Sequence, residues 1–134
     1  MKKDIPFHPA TGVDLAIVRE SRAGETEWSV YLINKNLISL TTVMINSKGY
    51  GQINGEMRKT SVLRHVIEKL EAQAVAKVEP ILPDLFQLTN EFWVSYYILD
   101  QIFDKKFIFL PGSISDEKVT YIPELDLHGI LHTK

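Results

Sequence analysis

The 134 residues predict an all-β chain built as two packed sheets, and three observations carry that prediction. Side chains follow a period of two over most segments, as where Trp28, Val30 and Leu32 alternate with Ser29, Tyr31 and Ile33. Turn signals rich in Gly, Pro and Asn recur at spacings of roughly 8–12 residues. The stretch Glu91 to Leu110 concentrates aromatic and β-branched residues on either side of Asp100-Gln101, as a β-hairpin does. Together they give about seven strands and an immunoglobulin-like β-sandwich, without the cysteine pair of antibody domains. The alternative is an α+β arrangement with a helix near residues 61–75.

The elements follow in order. Residues 1–12, with Pro6, Pro9 and Gly12, read as an extended N-terminal arm. Val13 to Glu20 is the first strand, and Ser21 to Glu25, containing Gly24, is a polar turn. Thr26 to Asn34 is the second strand, Asn34-Lys35-Asn36 a turn, and Leu37 to Asn46 a β-branched third strand. Ser47 to Gly55 holds three glycines and reads as a loop or as a hairpin turning at Asn54-Gly55. It lacks the Lys-Ser/Thr and the glycine spacing of a phosphate loop.

Arg58 to Glu79 supports two readings. As a helix, Ser61 caps an apolar stripe of Leu63, Val66, Ile67, Leu70 and Ala74. As β, Thr60 to Ile67 and Ala74 to Ile81 are strands joined by a crossing at Glu68 to Gln73. Local propensity favours the helix, and the surrounding period-two segments favour β; we read it as β. Pro80 and Pro83 mark a connection, and Leu85 to Asn90 leads into the hairpin. Pro111-Gly112 stops the hairpin's second strand, a helical turn is expected within 116–125, and residues 112–134 form a partly packed C-terminal tail of this single domain.

With Asp100-Gln101 as a two-residue loop, Leu99 faces Ile102, Val94 faces Phe107 and Phe92 faces Phe109. One hairpin face then carries Phe92, Val94, Tyr96, Ile98, Phe103, Phe107 and Phe109, with Lys105 the one charge among them. That is a core face. The other is mixed and carries Trp93, Tyr97, Leu99, Ile102 and Ile108 among polar residues. Trp28 and Trp93 are expected to face each other across the sheets.

Composition bounds the function. Hydrophobic residues at 45% and charged residues at 24% are ordinary for a folded chain. A net charge of −2 with thinly spread Lys and Arg argues against a grip on nucleic acid. The absence of cysteine excludes disulfides and thiol chemistry and fits a reducing compartment. No secretory signal follows Lys2-Lys3, and no apolar run reaches the ~20 residues that span a membrane. The expected location is cytoplasmic, with no membrane partner.

Candidate chemistry is sparse. His128 and His132 have the i, i+4 spacing that pairs imidazoles on a helix, and Asp126 is the third candidate metal ligand. Gly129 weakens such a helix, and no glutamate stands between the histidines. His65 has an apolar setting that suits a structural role. Glu68, Glu71, Glu79, Asp84 and Glu91 are not paired by their spacing, and no Gly-x-Ser-x-Gly elbow is present. No catalytic constellation assembles, and no cofactor is implied.

Three stretches, Trp28 to Asn34, Ser47 to Gly51, and Asn90 to Tyr97 running on to Asp104 to Phe109, resemble a group of short bacterial proteins. Some of these carry a phenylalanyl-tRNA synthetase alpha-subunit label, and the resemblance implies a synthetase-associated role. The residues depart from a class II synthetase core, which needs an arginine-bearing ATP motif and a glycine-rich motif ending in arginine. Here Gly49-Tyr50-Gly51 runs into Gln52-Ile53-Asn54. The resemblance carries over no catalytic residue.

The expected function is therefore a non-enzymatic binding or assembly module. Its partner, a protein or a second copy in a homodimer, would meet Trp93, Tyr97, Leu99, Ile102 and Ile108. The competing expectation is that a second sheet, a helix from 61–75 or the terminal tail covers this face. A metal- or small-ligand-binding protein using the C-terminal histidines is the alternative function.

Overall fold

Period-two segments need partners for their backbone groups, and hairpins supply the nearest ones. In the computed structural model, which describes residues 12–132, Val13–Arg22 (β1) pairs with Glu25–Asn34 (β2) along its whole length. The turn Ala23-Gly24 has both residues at positive φ, 54° and 83°. That geometry matches the twist of the flanking strands. Leu40–Ile53 (β3) and Glu56–Lys59 (β4) turn in the same way at Asn54-Gly55, as the hairpin reading of that segment expects.

The ambiguous segment is β. Leu63–Leu70 (β5) pairs with β3, and Val75–Pro80 (β6) pairs with β2. The helix expected as an alternative near 61–75 does not form, because β3 and β2 offer ladder partners that outweigh local propensity. A 3₁₀ turn at Pro83–Gln87 leads into Thr89–Ile98 (β7), which pairs with Gln101–Phe109 (β8).

Thr120–Ile122 (β9) and Leu127–His132 (β10) complete the set of ten strands among the described residues. The tail expected at 112–134 is thus corrected: β10 lies between β1 and β9 inside a sheet. The extended arm expected at residues 1–12 lies outside the described residues, apart from Gly12.

Two antiparallel sheets result, one in the order β6-β2-β1-β10-β9 and one built of β3, β4, β5, β7 and β8. In the second, Ser47 pairs with both Leu63 and Phe92, and Tyr50 with both Lys59 and Thr89. Hence β4 and β5 follow one another along one side of β3, with β7 on the other. The sheets pack face to face over Leu15, Ile17, Val30, Leu32, Ile45, Phe92, Val94, Tyr96 and Phe107. This is an all-β sandwich. No helix among the described residues is long and apolar enough to cross a membrane.

The hairpin differs from expectation in register. Ile98 pairs with Gln101, so the loop is Leu99-Asp100, and Phe92 faces Phe107 rather than Phe109. The loop moves because Leu99 takes a left-handed conformation at φ 57°. Each partner shifts by two positions, which preserves the side-chain alternation. The predicted core face is accordingly buried, with Phe92, Val94, Tyr96, Ile98, Phe107 and Phe109 all nearly inaccessible. Lys105 on that face sends its ammonium to the carbonyl of Val13, at 2.8 Å. Trp28 and Trp93 do not face each other. Trp28 is buried edge-on against Phe86 with ring centres 5.1 Å apart, whereas Trp93 points outward.

The first sheet is apolar on its outer face as well. Ala16, Val18 and Ile33 cluster there with Ile122, Leu125 and Leu127, side chains of the β9–β10 hairpin of the same sheet. The outer face of the second sheet has no comparable buried cluster among the described residues.

Candidate functional site

The odd-numbered residues of β7 point away from the core. Cross-strand pairing places them in rows: Arg64, Asn46, Trp93 and Lys106 in one, and Val66, Met44, Ser95 and Asp104 in the next. Tyr97 lies beside Ile102, and Glu91 beside Ile108. Trp93 is 46% exposed and Val66 62%, and Met44, Ile102 and Ile108 are exposed beside them. The ammonium of Lys106 stands 4.8 Å from the centre of the Trp93 ring, a cation–π contact. Arg64 donates through Nε to Asn46 Oδ1 at 3.1 Å.

Four of the five expected partner-binding residues, Trp93, Tyr97, Ile102 and Ile108, therefore share this face. Leu99 sits apart in the turn. Met44 and Val66 belong to the face and were missed, because their place beside Trp93 depends on which distant strands adjoin β7. Among the described residues the covers that sequence offered do not reach it: the first sheet packs on the opposite face, residues 63–70 lie within the same sheet, and the C-terminal strands belong to the first sheet.

At one edge the second sheet is broken. β4 ends at Lys59 and β5 begins at Leu63, and Thr60 fills the gap. Its hydroxyl oxygen accepts from the Gly49 amide at 2.7 Å, and its own amide donates to the Gly49 carbonyl at 2.9 Å. Three depressions meet at this break. One of about 270 Å³ enters between the sheets past Ser47, Glu79 and Phe92. One of about 450 Å³ lies between Tyr50, Met57 and Glu91, and one of about 190 Å³ reaches Trp93.

Two carboxylates flank β3 at the break. Glu91, nearly buried, accepts from the Tyr50 hydroxyl at 3.0 Å and has the Lys48 ammonium at 3.8 Å. That hydrogen bond holds the Tyr50 hydroxyl above its ordinary pKa. Glu79, with its side chain 9% exposed, accepts from Ser47 at 3.1 and 3.2 Å and stands 2.5 Å from His65 Nε2. The carboxylate lies between the other two, so no bond joins imidazole to hydroxyl. Such a chain holds a buried charge in place; it is not the order Ser–His–acid that activates a nucleophile. Sequence patterns did not pair His65 with Glu79; the β reading of residues 60–81, which puts them on strands joined by one short crossing, is the signal that could have found the pair.

The C-terminal histidines are a correction. They lie on a strand, where four residues span ~13 Å instead of one helical turn. His128 lies beside Tyr121 with the rings tilted and 5.5 Å between their centres, and His132 makes T-shaped contacts with Phe107 and Phe109. Asp126 accepts a hydrogen bond from the Tyr121 hydroxyl at 2.7 Å. Among the described residues no group of three or more His, Cys, Asp or Glu side chains could hold a metal ion. No protein-family model, no curated protein and no solved structure matches the chain.

Proposed function

We propose that this chain is a non-enzymatic assembly module that pairs with a second copy of itself through the outer face of its second sheet. The observation that carries the reading is the row system, uncovered by any described residue, in which Trp93, Met44, Val66, Tyr97 and Ile102 adjoin one another. Contiguous apolar surface of this kind marks interaction sites, and Trp, Tyr and Met are enriched at them. The charges around the patch carry both signs, Lys106 and Arg64 against Asp104 and Glu91. A two-fold interface requires that self-complementarity, since each residue meets its counterpart's neighbours.

Light scattering over a range of protein concentrations tests the reading. The expected result is a wild-type dimer that Trp93→Glu converts to a folded monomer. A wild type that stays monomeric at every concentration contradicts it.

Two further points belong to this reading. Strands β1, β2 and β6 neighbour one another as strands A, B and E do in immunoglobulin-like domains, and β3, β7 and β8 as C, F and G do. That order supports an immunoglobulin-like connectivity extended by β9 and β10. The lack of cysteine supports a cytoplasmic setting.

A further inference from the structure

The cleft of about 270 Å³ between the sheets has a one-sided hydrogen-bonding character. Of its side-chain donors, the Lys48 ammonium is drawn away to Glu91 at 3.8 Å and the exposed Ser61 hydroxyl stands at the mouth; the inner ones are engaged. The Ser47 hydroxyl donates to Glu79, and the Asn90 amide donates to the carbonyls of Leu85 and Leu88 at 2.8 and 3.2 Å. The Thr60 hydroxyl donates to the Ser61 carbonyl at 3.0 Å. Acceptors remain: the lone pairs of Ser47, the Asn90 carbonyl oxygen, and above all the Glu79 carboxylate. Two oxygens offer about four acceptor positions, and the His65 contact with the two from the shared Ser47 hydroxyl leaves at least one open. The floor is apolar, formed by Leu63, Ile81, Leu85 and Phe92.

We propose that this cleft is a binding site for a small organic cation, an ammonium or amidinium head on a short apolar body. The head would donate to Glu79 and the Asn90 oxygen, and the body would lie on Ile81 and Phe92. A carboxylate held nearly out of water favours a charged donor over a neutral one, because charge-assisted hydrogen bonds are roughly twice as strong as neutral ones. The volume lies just under the ~300 Å³ at which drug-sized sites begin and suits a ligand of one ring. This site faces inward, away from the Trp93 surface, and stands independently of self-association.

The test uses benzylamine, cationic at neutral pH, against benzyl alcohol, its neutral counterpart. Backbone amide shifts of Gly49, Thr60 and Ser61 are followed by NMR during each titration. The expected result is saturable shifts with benzylamine and at least tenfold weaker binding of the alcohol. Glu79→Gln should lower benzylamine affinity at least tenfold. Ser61→Trp, an exposed substitution at the mouth that leaves Glu79 in place, should block entry to a similar degree. Equal binding of amine and alcohol, an absence of saturable shifts, or full affinity in either folded variant overturns the proposal. Should Glu79→Gln not fold, the Ser61→Trp titration decides alone.

Discussion

His65 Nε2 on β5 stands 2.5 Å from a Glu79 carboxylate oxygen on β6, and the two strands belong to different sheets. The pair joins the sandwich where β5 crosses to β6 with no backbone pairing between them. Removing His65 leaves a nearly buried carboxylate with Ser47 as its neighbour. His65→Ala should therefore cost about 1–2 kcal/mol, the lower part of the range for hydrogen bonds to charged groups because the imidazole is a third exposed. Urea unfolding of His65→Ala, Glu79→Gln and the double variant measures the coupling. We expect at least about 1 kcal/mol; single effects that simply add, within about 0.5 kcal/mol, contradict a latch.

The β7–β8 turn stores strain at Leu99. A left-handed conformation costs an L-residue about 1–2 kcal/mol, and a bulky side chain seldom adopts it. Leu99 is half exposed, so its side chain gives back little in burial. Leu99→Gly relieves the strain at an entropic cost of about 0.5–1 kcal/mol, for a net gain of up to about 1.5 kcal/mol. The urea midpoint should rise, and a fall would show that the Leu99 side chain stabilises the turn by other means.

The turn also marks where sequence reasoning stopped. Alternation within the hairpin is local, so the split between Phe92, Val94, Tyr96 and Phe107 inside and Trp93, Tyr97, Ile102 and Ile108 outside was legible and survived a two-residue register change. What lies beside what was not. The pairing of Asn46 with both Trp93 and Arg64 joins segments some 20 to 50 positions apart, and nothing in any one segment encodes it. The histidines failed for a related reason. The spacing of His128 and His132 means proximity on a helix and separation on a strand, and the period of so short a segment did not decide between them. The Ser47–Glu79–His65 chain needs three strands at once, so single-strand patterns left it as scattered residues.

Burial gives the chain an alkaline limit through Tyr96. Its hydroxyl is pushed up to about 12, first by burial and then by the nearby Asp104 charge. Below pH 10 the side chain is protonated in both folded and unfolded chains, and its stabilising contribution is fully present. As pH rises through 10 the unfolded chain ionises first, so stability falls, and the loss is complete above about 12. A two-unit difference corresponds to about 2–3 kcal/mol. Tyr31, raised to about 12 by burial and its hydrogen bond to Glu20, acts in the same direction. Urea midpoints measured from pH 9 to 12 should decline, and Tyr96→Phe should flatten the decline. An unchanged slope in Tyr96→Phe would remove Tyr96 from the account.

The C-terminal strand depends on Gly129. A Cβ there would press against the carbonyl oxygen of Ile17 and lie 2.7 Å from the Val18 Cα, both on β1. These are backbone atoms in the centre of a sheet and have no rotamer by which to give way. Gly129→Ala should force β10 outward, at a cost of about 1–3 kcal/mol typical of overpacking, and loosen the cluster that Ile122 and Leu127 form with Ala16 and Val18. Hydrogen exchange separates this from general destabilisation: amides of β9 and β10 should lose protection while those paired between β3 and β7 keep theirs. A variant with wild-type stability and exchange would mean that β10 does not approach β1 this closely.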